Sequence, residues 1–300
     1  MAQLAQAVSL SGPEPVLQPF WKRMSLWQAT TLLALVGWLY GSILARLVGQ
    51  WWADPNFSHG FFVPAFSLFL LWQDRRRLQK IPPTPSLWGL PIIILSMCVL
   101  LVGVFGAELF LSRTSLLLLI AGLISFFMGW QMLRALLFPL LFLLLMVPIP
   151  AIIFNQVTFP LQILASKLSA WLLPLLGVPV FREGNVINLP AMPLEVAEAC
   201  SGIRSLLSLL TLAIMYGYLL EKRIFIRLLL ALAAIPIAVA ANALRIVGTG
   251  LLVQYWDPEK AEGFFHAFSG WLIFVVSLLM LFALHRAFTL WRGGEEPAEL

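Results

Sequence analysis

Three residues in the last third of the chain supply the parts of an acyl-transfer site. They are Cys200 in LEVAEACSGIRSLLSLL, Arg245 in AANALRIVG and His266 in FFHAFSGW. In such chemistry a thiolate is the nucleophile, and a helix N-terminus or neighbouring cations lower the pKa of the thiol that forms it. An imidazole takes the thiol proton and later hands it to the leaving amine. A guanidinium stabilises either the thiolate or the oxyanion of the tetrahedral intermediate. Arg204 follows Cys200 by four residues and so shares its helical face, and Gly202 between them leaves room for a substrate backbone. Asn242, one turn before Arg245, is placed to hold it, and Glu198 to orient Arg204 or Arg245. His59 in NFSHGFF is a candidate substrate contact on a loop.

Each residue also has a plain structural alternative. An unpaired cysteine in a membrane protein commonly acts as a small apolar filler, and Cys98, in the middle of an apolar run, is read that way. An interfacial arginine snorkels to lipid phosphate, and an interfacial histidine or carboxylate needs no chemical role. What favours chemistry is convergence, and convergence depends on the elements that carry the residues.

Those elements are membrane helices. Hydrophobic residues make up 61% of the 300, charged residues 11%, and mean hydropathy is +0.93, a composition that excludes a water-soluble domain. Apolar runs near 20 residues alternate with short polar stretches, which predicts an all-α polytopic bundle and excludes a β-barrel. About eight transmembrane helices are expected, at 27–48, 61–73, 87–105, 115–131, 135–152, 201–220, 226–248 and 266–287, in a single membrane domain. No cleavable signal sequence is evident, so the first span is expected to serve as an uncleaved insertion signal.

QDRRRLQK directly after the second span marks the cytoplasmic side, and alternation from there makes every other loop a test. Lys22, Arg23, Arg75, Arg76, Arg77, Lys80, Arg134, Lys222, Arg223, Arg227, Arg286 and Arg292 then fall inside, 12 of the 19 basic residues. The split favours eight spans with both termini cytoplasmic. It also explains the net charge of +5 without nucleic acid, because the basic residues lie in short loops and form no single patch. Under this topology Cys200, Arg245 and His266 all meet the outer interface. His285, beside Arg286, falls on the cytoplasmic side and is read as uninvolved.

Residues 153–199 are expected to form an interfacial helix and a short extended loop on the outer face. The segment NQVTFPLQILASKLSAWLLPLLG, 155–177, is long enough to cross, but crossing would turn EKRIFIR outward, and Lys167, Ser169, Pro160 and Pro174 suit an interfacial or re-entrant helix. VPVFREGNVINLPAMPLEVAEA reads as an extended hairpin that leads into Cys200. No metal or organic cofactor is implied, since two cysteines and three histidines are too few for a ligand cluster.

The motifs EVAEACSGIRSLLSLL, ANALRI and HAFSGW, in that order near the ends of the last three spans, resemble those of the exosortase/archaeosortase family of membrane cysteine transpeptidases. DPNFSHGFFVPAFSLFLLW at 54–72 resembles that family's early motif. The resemblance implies Cys200 as nucleophile, with Arg245 and His266 as the other essential residues. It implies as partners exported proteins with a C-terminal sorting signal, namely a short Pro-Glu-Pro-like motif, a membrane helix and a basic tail. The upstream chain is then held as a thioester and passed to an acceptor nucleophile whose nature the sequence does not encode. GPEPVLQPF at 12–20 contains Pro-Glu-Pro but precedes the first span, so it lacks the order of a sorting signal.

Two other readings compete. One is an intramembrane cysteine protease with water as acceptor. The other is a transporter or lipid carrier, which ranks behind because the central portions of most spans carry no charge.

Overall fold

The computed structural model describes residues 26–196, 203–256 and 264–291, the side chains of 264–269 and 291 excepted. It is 81% helical with little strand, an all-α polytopic bundle. The chain divides into two compact units, one of Met1–Gly49 and Phe62–Val147, the other of Gln50–Phe61 and Pro148–Leu300.

The first unit holds most of α1 (Leu26–Ala53), then α2 (Phe62–Gln73), α3 (Arg75–Leu78), α4 (Gly89–Phe105), α5 (Leu109–Met128), α6 (Trp130–Ala135) and α7 (Leu137–Phe142). Its core gathers Tyr40, Leu100, Leu116 and Leu119 from α1, α4 and α5. In hydrocarbon a buried hydroxyl must find a partner within the protein. Tyr40 Oη and Ser115 Oγ accordingly lie 3.0 Å apart, and Ser67 donates to the Pro139 carbonyl at 3.1 Å. Glu108 caps α5 by accepting from the Leu111 amide, and Arg113, one turn in, is buried.

The apolar run 135–152 is divided among several elements. After α7 it tightens to a 3-10 turn at Leu143–Met146 and leaves helical geometry at Val147, and a new helix starts at Ala151. Pro148 and Pro150 are the cause, because each lacks an amide proton and restricts the residue before it to extended backbone.

The second unit contains a 3-10 segment, Pro55–Phe61, followed much later in the chain by α8 (Ala151–Leu175). Strands β1 (Phe181–Glu183), β2 (Val186–Asn188) and β3 (Pro193–Glu195) come next, then α9 (Ile203–Leu220), α10 (Ile224–Tyr255) and α11 (Phe264–Trp291). Among the described residues, five helices are long and apolar enough to cross a membrane. A bent pair, Leu137–Met146 with Ala151–Leu175, makes a sixth if it is one span. At 17 residues, α4 is a shorter apolar helix.

The hairpin expected at EGN is present and gains a third strand, giving an antiparallel meander in the order β1, β2, β3. Arg182 pairs with Ile187, and Ile187 with Leu194. Gly184 turns the first hairpin at φ 62°, a backbone setting that costs any residue with a Cβ about 1–2 kcal/mol. Ser166 of α8 and Arg182 both donate to the Gly184 carbonyl. The sheet therefore rests on α8, and a core of Ala165, Leu173, Val178, Ile187, Leu189, Val196, Ile246, Val247 and Val253 joins it to α10.

Candidate active site

At 32 residues α10 is about 48 Å long, more than the roughly 30 Å of hydrocarbon requires. Arg245 stands 21 residues beyond Ile224, about 32 Å along the axis, so it reaches the far boundary of a bilayer entered at Ile224. The sequence reading ends this span at 248. The helix continues to Tyr255 because Ile246, Val247 and Val253 pack beneath the sheet and against Leu173 of α8.

The end of the bundle at which Arg245 lies is fixed by contacts at both ends. Near one end, Gly217 of α9 packs against Arg227 of α10, and Tyr216 of α9 bonds His285 of α11. Because α9, α10 and α11 alternate in direction, the start of α9, the later part of α10 and the start of α11 belong together at the other end. The close approach of the two helices agrees with this: a Cβ on Gly270 of α11 would stand 3.8 Å from Arg245 Nη2. Gly270 is four residues after position 266, on the same face of that helix.

Of the residues singled out from sequence, Arg245 is half-buried and Asn242, one turn before it, is 2% exposed. Arg204 lies in the first turn of α9 with its side chain exposed, while its neighbour Ile203 is buried. His59 is buried in the 3-10 segment Pro55–Phe61, which packs against α9. The backbone at 266 belongs to the first turn of α11, and its side chain lies outside the described residues, as do Glu198 and Cys200 altogether. The chain on both sides of Cys200 is anchored. Val196 is buried, donates its amide to the Asn185 carbonyl at 2.9 Å and accepts from Asn185 Nδ2 at 3.3 Å.

Several residues that support this region carry no sequence signal of their own. Ser169, on the buried face of α8, donates to the Ala243 carbonyl at 3.2 Å and so ties α8 to α10 beside Asn242. Ala191 donates its amide to Gln254 Oε1, fastening the loop after β2 to the end of α10. Gly60 admits the Trp51 indole so closely that a Cβ there would clash with the ring, which fixes the peptide next to His59. Gly270 was findable, since it follows His266 by one turn in HAFSGW.

These features define a multi-pass membrane protein with polar residues brought to one end of its last three helices. Comparison of the sequence with protein families sharpens that class: the model of the transmembrane exosortase family matches residues 51–283, and the chain belongs to that family. All seven candidate residues lie within the matched range. The family acts on exported proteins that carry C-terminal sorting signals. No curated protein and no solved structure matched the chain.

Proposed function

We propose that this protein is a cysteine transpeptidase that cleaves the C-terminal sorting signals of exported proteins at the outer membrane interface and transfers the upstream chain to an acceptor. The observation that carries the reading is the approach of Arg245 to Gly270, because it sets the late part of α10 beside the face of α11 that bears position 266. Membership of the exosortase family supports the same substrate class.

In the first half-reaction His266 takes the proton of Cys200, and the thiolate attacks the scissile carbonyl. An S–C bond forms, and Arg245 stabilises the oxyanion. The C–N bond then breaks, His266 protonates the departing amine, and the upstream chain remains on Cys200 as a thioester. In the second half-reaction an acceptor nucleophile loses its proton to His266 and bonds to the thioester carbonyl carbon, the C–S bond breaks, and the proton returns to the departing sulfur. Asn242 holds Arg245. Arg204, Glu198 and His59 are assigned to substrate binding or to orienting the charged groups.

In the sequence Cys200 falls between two anchored points, Val196 and Ile203. Four residues from Val196 and three from Ile203 span at most about 14 Å and 11 Å. Both anchors are buried, and Val196 shares its core with Ile246 and Val247, the two residues that follow Arg245.

The orientation assigned here puts both termini in the cytoplasm of a bacterium and the site outward at the inner membrane. A substrate held by its own helix, with its basic tail inside, then presents its cleavage motif at the depth of Cys200. Processing of a co-expressed substrate by Cys200→Ala and Cys200→Ser, with Cys98→Ala as control, tests the nucleophile. Loss in the first two alone supports the assignment, and full processing by both contradicts it. Product analysis separates transfer, which leaves a new amide or ester, from hydrolysis, which leaves a free carboxylate.

A further inference from the structure

At the end of α9, α10 and α11 remote from Arg245 lies a hydrogen-bonded array of three side chains. Tyr216 Oη of α9 is 2.6 Å from His285 Nδ1 of α11, and His285 Nε2 is 2.7 Å from Glu221 Oε1 in the turn between α9 and α10. Tyr216 stands at 89° to the imidazole and also packs against Phe282. Arg227 of α10 donates to the Glu221 backbone carbonyl at 2.6 Å and stacks over Tyr218, so the turn carrying Glu221 is itself held. His285 is buried.

What makes the array more than a local bond is the nature of α11. Apolar residues surround its whole circumference, so no amphipathic stripe sets how far it is rotated or how deep it sits. Ser277 and Thr289 donate to carbonyls of α11 itself, at Ile273 and Arg286, and so say nothing of its register. His285 is a side chain whose polar bonds leave the helix, to α9 on one nitrogen and to the α9–α10 turn on the other. In hydrocarbon such bonds act as specific glue between helices, and fixing register is the best-attested use of buried polar groups.

We infer that Tyr216, His285 and Glu221 form a register lock that sets the rotation and depth of α11, and thereby positions residue 266 and Gly270 against Arg245. The inference rests on the catalytic reading above. Residues 285 and 266 are 19 apart, about 28 Å of helix with no proline between them, so a slide or rotation at one end is carried to the other. Displacements near 1 Å at a reacting centre cost on the order of 10²-fold in rate. The three are positioning residues, since they lie at the end of the helices remote from Arg245.

The test has two readouts. The first is kcat and KM for purified, monodisperse His285→Ala, Glu221→Ala and Tyr216→Phe, with His285→Gln as the conservative variant. The expected result is a kcat lower by about 10-fold or more at similar KM for the alanine variants, and partial recovery with His285→Gln. The second needs no activity: in a Cys98→Ala/Cys200→Ala background, Gly270→Cys is labelled by a water-soluble maleimide with and without His285→Ala. A changed labelling rate at 270 is expected. If His285→Ala does not fold, Tyr216→Phe, which removes a single bond, takes its place in both readouts. Unchanged labelling at 270, or a kcat within twofold of the parent, overturns the lock. Because labelling is read in a protein without Cys200, it stands even if Cys200→Ala shows the nucleophile to be misassigned.

Discussion

Arg245 and Gly270 are 25 residues apart in sequence, yet the guanidinium lies where a methyl on Gly270 would meet it at 3.8 Å. That distance is ordinary van der Waals contact. Gly270→Ala is therefore expected to fit, with processing within a few-fold of wild type. Gly270→Leu fills the space the guanidinium occupies, and steady-state kinetics should show kcat lower by at least about 10-fold.

Removing the guanidinium itself is more severe. Arg245→Ala is expected to lower kcat by about 10²–10³-fold, the usual cost of losing an oxyanion donor. Arg245→Lys should recover little, because a point charge on a flexible stem does not reproduce the planar fork. A kcat for Arg245→Lys equal to that of wild type would assign the arginine to simple charge balance.

The small sheet is predicted to matter for the site as well as for stability. Ile187 is wholly buried at its centre and shares a core with Val196 and Ile246. Ile187→Ala should destabilise the protein by about 2–5 kcal/mol. The same variant, assayed well below its melting temperature, should also show reduced kcat, since Val196 anchors the approach to Cys200. Thermal unfolding in detergent and kinetics on the folded fraction separate the two effects.

Much of this arrangement was legible in the sequence. Composition and the spacing of apolar runs are enough to define a helical membrane bundle, because lipid leaves few alternatives to the helix. The motif residues Arg245 and His266 were recognisable by type and order, and alternation of spans places them at one end. The register lock was not legible. His285 lies 69 and 64 residues from its two partners, and beside Arg286 it looks like one more basic residue at the cytoplasmic end of a span. The break at Val147–Pro150 was written in two prolines, but a hydropathy reading passes over them because their neighbours are apolar. The third strand and the extension of α10 to Tyr255 arise from packing of the sheet against that helix, which no local pattern announces.

The assigned orientation has a direct consequence for labelling. Glu183 is exposed at the end of β1, before the hairpin turn. A membrane-impermeant maleimide should reach Glu183→Cys in intact cells and miss Gln79→Cys, which follows the basic helix α3. The opposite pattern would put the site on the side of the membrane where exported substrates are not found.

The central claim is that Cys200 carries the substrate as a thioester. Intact-mass measurement of the purified enzyme, incubated with a sorting-signal substrate and no acceptor, tests it most directly. The account predicts a species heavier by the upstream fragment, returned to the parent mass by neutral hydroxylamine and absent from Cys200→Ala. Cleavage by the wild type without that species, or normal cleavage by Cys200→Ala, would contradict it.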